Sequence, residues 1–117
     1  MSGRIVEVNK RGVQILEGGS GNPLLYLHGF ADVHSVKESW LPFHEQLARR
    51  ARVIAPAHPG CAQTDENKDI DGVEDVVFHY LEVLDALKLT RFDLVGSCVG
   101  GWIAAWVAVR HPAKVRK

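Results

Sequence analysis

Residues 93 to 106 read DLVGSCVGGWIAAW. A short apolar strand runs into a turn closed by glycines and then into an apolar helix. This stretch limits the fold more than any other part of the chain. A strand that turns sharply into a helix packed on its own sheet needs small residues where the two backbones meet. Gly96 and Gly100 stand two residues either side of Cys98, and Gly101 adds a further small residue at the helix start. Such a turn exposes the side chain at its apex, so Cys98 is the residue that it presents. Ser97 lies one position out of register, flanked at the same spacing by Val95 and Val99, neither of them small.

The rest of the chain supplies the partners of this unit. Arg4–Val8 and Val13–Glu17 alternate as strands around the turn at Asn9-Lys10-Arg11-Gly12. Leu24–Leu27, Arg52–Ala55 and Phe92–Val95 are short apolar runs, as expected of strands buried on both faces. Trp40, Phe43, Leu47 and Ala48 follow helical spacing, with Ser39 as the expected N-cap. Asp71-Gly72-Val73-Glu74 opens a second helix with a capping-box pattern; its apolar face is Val73, Val76, Val77, Tyr80, Leu81, Leu84 and Leu87. Trp102 to Val109 is apolar nearly all round, and His111-Pro112 ends it. The order β-β-β-α-β-α-β-α predicts an α/β fold with a mostly parallel sheet and flanking helices. A chain of 117 residues suits a single domain.

Charge excludes some functions. Fourteen basic residues balance fourteen acidic ones, so no electrostatic footprint for nucleic acid or an anionic membrane is present. No apolar run reaches membrane-spanning length, and the start Met1-Ser2-Gly3-Arg4 leads into a strand rather than the apolar core of a signal peptide. Cys61 and Cys98 do not form a disulfide framework, which makes a reducing, cytoplasmic setting the expectation.

At a helix N-terminus a thiol is favoured as thiolate, which suits Cys98 to nucleophilic attack; the alternative is a small buried apolar residue. Four stretches, "LLYLHGF", "VIAPAHPG", "DLVGSCVGG" and "AVRHPAKV", resemble in order the N-terminal part of α/β-hydrolase fold enzymes, over essentially the whole chain. That resemblance implies acyl transfer to water from a small ester-like substrate, or related C–C bond hydrolysis. It places the nucleophile at Cys98 and the oxyanion hole at the backbone N–H groups of Phe30 and Val99. His28 and Gly29 shape the loop that carries the first of these amides, and no cofactor or metal is called for.

The chain departs from the family pattern in three ways. The family usually has serine at the position of Cys98, although dienelactone hydrolases use cysteine in a similar G-x-C-x-G-G setting. Pro59-Gly60-Cys61-Ala62 lacks the family's aromatic and second glycine. The triad acid and histidine follow the nucleophile in chain order, and no residue up to Lys117 matches them.

His34 and His58, on loops at the ligand-binding edge of such a sheet, are the remaining candidates for a base. His44 falls on the first helix, and His79 and His111 are expected at the surface. His58-x-x-Cys61 supplies only half of a metal site, and Glu66, Asp69 and Asp71 read as a solvated loop and helix start. The fifth strand should form an exposed edge, open to a second copy or to a complementing C-terminal half. The sequence thus leaves three readings: a hydrolase half that is inactive or only acylated alone, a non-catalytic binding or dimerising module, and a fragment with no function of its own.

Overall fold

The computed structural model describes residues 2–29, 40–62, 64–66, 68 and 70–117. Strands β1 (Ser2–Val8), β2 (Arg11–Gly18), β3 (Pro23–Leu27), β4 (Arg52–Pro56) and β5 (Asp93–Gly96) alternate with helices α1 (Pro42–Ala48), α2 (Val73–Ala86) and α3 (Val99–Arg110) in the expected order. The five strands form one sheet in the order β1-β2-β4-β3-β5. β3 is parallel to both β4 and β5, and the β1–β2 and β2–β4 pairs are antiparallel. The sheet is therefore mixed, with its parallel part around β3.

Alternation along the central strands divides the core in two. Leu25, Leu27 and Ile54 face α2 and α3, where they pack with Val77, Tyr80, Val83, Leu84, Ile103 and Val107. Leu24, Tyr26, Val53 and Ala55 face the other way, against Trp40 and Leu47 beside α1. With apolar side chains on both faces, β3 and β4 can occupy only the interior of the sheet.

Several local expectations need correction. The first helix opens at Pro42 with Leu41 in the cap position, and Ser39 lies outside the described residues. Proline suits the first helical position because its missing N–H would have no partner there. The Leu41 N–H instead donates to His44 Nδ1 at 3.1 Å, and His44 is buried. The second helix is capped at Gly72, not Asp71, and Asp75 reaches back to accept the Asp71 N–H at 2.9 Å.

His79, expected at the surface, is only 5 % exposed. It lies off the apolar stripe of α2, but shares a small cleft with Asn9 and Arg11 of the β1–β2 hairpin. Burial, with Arg11 adding to it, lowers its pKa to about 4, so the ring is neutral.

β5 is the edge of the sheet, as expected, and among the described residues the backbone bonds on its outer side lie at its start. Beyond α3 the chain returns alongside it: Phe92 N–H donates to Lys114 O, Arg116 N–H to Phe92 O and Leu94 N–H to Lys117 O, at 2.7 to 3.0 Å. Arg116 also pairs with Asp93 through two bonds of 2.9 and 3.0 Å. The apolar helix α3 is only partly covered: Trp102 and Val109 are 57 % and 76 % exposed.

Candidate active site

The elbow forms where the glycine spacing puts it. Cys98 has φ 59° and ψ −121°, a backbone conformation that non-glycine residues rarely adopt and that costs on the order of 1–3 kcal/mol. The turn is held on both sides. Ser97 N–H donates to Leu27 O at 3.0 Å, tying it to the end of β3. The amides of Gly100 and Gly101 donate to Ser97 O and Cys98 O at 2.9 and 3.0 Å, starting α3. Val99, as the first helical residue, has no intrahelical acceptor for its N–H.

The glycines fill the roles that their spacing suggests, with one difference. A Cβ on Gly96 would lie 2.6 Å from the Cα of Gly101, and one on Gly100 would lie 2.7 Å from His28 O and still nearer to Leu27 O. Neither backbone can yield without moving the helix off the sheet. A Cβ on Gly101 would meet nothing closer than 3.4 Å, an ordinary contact, so Gly101 is small without having to be. Gly29 belongs to the same packing unit, since a Cβ there would stand 2.7 Å from the Cβ of Cys98.

Cys98 is exposed, and among the described residues no side chain hydrogen-bonds its thiol. Phe30 and His34 lie outside the described residues.

His58 is not available as a base, because both of its ring nitrogens are engaged. Nε2 lies 2.8 Å from the carbonyl oxygen of His28, which can only accept, so Nε2 carries the proton. Nδ1 then accepts from the Tyr80 hydroxyl. The His58 N–H donates to His28 Nε2 at 2.9 Å, and the two rings stack with centroids 3.9 Å apart. His28, 1 % exposed, is thus buried and held by its bonds to His58.

Beside the elbow, His58, Cys61, Val76, Val99 and Ile103 border a mainly apolar cleft of about 330 Å³. Burial raises the Cys61 thiol above its usual range; burial, followed by the nearby Cys61, pushes the Tyr80 hydroxyl well above its own. Ala62 has φ +47°, so alanine takes up a left-handed conformation in the very loop that lacks the second glycine. Among the described residues no three His, Cys, Asp or Glu side chains cluster as metal ligands would, and no helix is long and apolar enough to cross a membrane.

The clamp between His28 and His58 was not foreseen. Its only trace in the sequence is a histidine ending each of two neighbouring strands, and nothing in that spacing shows that the rings meet.

Comparison with known proteins identifies the fold. The α/β hydrolase fold family matches residues 22–117. The 2-hydroxy-6-oxo-2,4-heptadienoate hydrolase of Pseudomonas putida is 36% identical over 116 residues, covering 98% of this chain and 42% of that protein. The 2-hydroxymuconate semialdehyde hydrolase of a Pseudomonas species is 38% identical over 102 residues, covering 86% and 36%. Among solved structures, a meta-cleavage product hydrolase from Pseudomonas fluorescens superposes with a TM-score of 0.83 at 26% identity, covering 97% of this chain and 42% of that one. The chain spans about two fifths of the length of these relatives, and it belongs to the α/β-hydrolase fold family.

Proposed function

We propose that residues 1–117 carry the nucleophile half of a hydrolase site. Cys98 attacks the carbonyl carbon of a small substrate. The backbone N–H groups of Val99 and, by the family resemblance, Phe30 stabilise the resulting oxyanion. Collapse of that intermediate expels the leaving group and leaves a thioester on Cys98. The observation that carries this reading is the exposed side chain and strained backbone of Cys98 at the start of α3, abutting Gly29. Strained backbone of this kind clusters at functional sites, and at this turn it presents the apex side chain. The names of the two relatives point to hydroxy- and oxo-substituted dienoate acids as the substrate class, with esters sharing the same tetrahedral chemistry.

Residues 1–117 then serve as one domain-sized unit that needs a histidine and an acid from elsewhere. The edge position of β5 and the uncovered Trp102 and Val109 support docking of a complementary half there. Without that half, a thiol can still be acylated, because it needs less base assistance than a hydroxyl, but hydrolysis of the thioester stalls. Stopped-flow release of nitrophenol from p-nitrophenyl acetate tests this. The expected trace is a burst of about one equivalent with no steady phase, lost in Cys98→Ala. A steady phase that Cys98→Ala abolishes would show a complete site, and an unchanged burst in that variant would remove Cys98 from the chemistry.

A further inference from the structure

Resting on the reading of Cys98 as nucleophile, we infer that His58 is a positioning residue. It clamps His28 and Gly29 against the elbow through hydrogen bonds that fit two neutral histidines. Three elements meet at this ring. Tyr80 of α2 donates to Nδ1; Nε2–H donates to the His28 carbonyl at the end of β3; and the backbone N–H of His58, just beyond β4, donates to His28 Nε2. His28 must then carry its proton on Nδ1, which lies 3.1 Å from the Gly29 carbonyl and donates to it. Gly29 in turn abuts the Cβ of Cys98. The path from Tyr80 to the nucleophile thus has no slack: each link is a hydrogen bond or a contact that excludes even a methyl group.

The proton positions follow from the partners. Protonating His28 would place an N–H at Nε2 facing the His58 N–H at 2.9 Å, donor against donor. Protonating His58 would reverse its bond to Tyr80, whose fully buried hydroxyl would then have to turn its own proton away, and would set a cation against the stacked His28 ring. The first event breaks a bond of the clamp and the second weakens it. The titratable groups facing it are Tyr80 from α2 and Cys61 and Glu66 from the loop after β4.

Two measurements on the 117-residue protein test this. Long-range ¹H–¹⁵N correlation spectra at neutral pH should show His58 as the Nε2–H tautomer and His28 as the Nδ1–H tautomer. The reverse tautomer or an imidazolium at either ring would overturn the clamp whether or not Cys98 reacts with esters.

The second measurement compares the rate of Cys98 acylation by p-nitrophenyl acetate with its alkylation by iodoacetamide. Only the first reaction passes through an oxyanion, so the ratio cancels changes in thiol ionisation. In His58→Phe, which keeps a flat ring but loses both ring bonds, the ratio should fall about 10²-fold, the usual cost of a misplaced reacting group. His58→Gln, whose amide can still donate to the His28 carbonyl, should recover most of it. Tyr80→Phe should move the acid midpoint of the ratio upward, because Nδ1 is then free to take a proton. An unchanged ratio in His58→Phe, or an unmoved midpoint in Tyr80→Phe, would overturn the positioning role while leaving Cys98 as nucleophile. Failure of wild type to acylate would instead count against the hydrolase reading.

Discussion

Gly100 on α3 lies against the carbonyl of Leu27 so closely that a methyl group there would overlap its oxygen and stand 2.7 Å from His28 O as well. Both obstacles are backbone, so no side chain can turn aside to relieve them. Gly100→Ala should lower stability by about 3 kcal/mol or more in urea denaturation, the size expected of overpacking against a fixed main chain. Gly101→Ala is the matched control. It makes only an ordinary contact and removes a helix-interior glycine, so its effect should lie between neutral and a gain of about 1 kcal/mol.

Ala62 occupies a left-handed backbone position that suits glycine. The conformation costs an L-residue roughly 1–2 kcal/mol, and glycine's extra freedom in the unfolded chain takes back about half of that. Ala62→Gly should therefore raise stability by about 0.5–1 kcal/mol, read as a higher urea midpoint with an unchanged slope.

His79 sets an acid limit on the fold. Its pKa is about 4 in the folded protein and about 6.5 unfolded, so below pH 6.5 the unfolded chain binds a proton that the folded one resists. Its contribution should be fully present above pH 6.5 and lost progressively as pH falls toward 4, reaching about 3 kcal/mol. Urea melts across that range should show the slope in wild type and a flatter profile in His79→Gln.

The loop after β4 is pinned to β2 by side chains. Gln14 N–H donates to Thr64 Oγ1 at 2.9 Å in a buried setting, and Gly12 N–H donates to Asp65 Oδ2 at 2.7 Å. Thr64→Val keeps the shape but leaves the Gln14 amide without its acceptor, which should cost about 1–3 kcal/mol by thermal or urea denaturation. Because this loop carries His58 and Cys61, the same change should speed alkylation of Cys61.

The sequence made the backbone of this account readable and hid much of its polar interior. Apolar runs such as Leu24–Leu27 announce strands because burial on both faces leaves no other solution, and Gly96 and Gly100 announce a close crossing because only hydrogen fits there. His79 was misread because helical periodicity records which residues are apolar, whereas its surroundings include a hairpin some 70 positions away in the chain. The conformation of Ala62 was invisible since alanine is ordinary in most loops.

The most direct test of the central claim is an intact-mass measurement with peptide mapping after brief exposure to p-nitrophenyl acetate. Cys61, half-buried and with its thiol raised by burial, is the internal control. Acylation confined to Cys98 and persisting for hours is the expected result, and it would mean that the elbow is preorganised in these 117 residues. Equal labelling of Cys61 and Cys98, or no labelling of either, would contradict it.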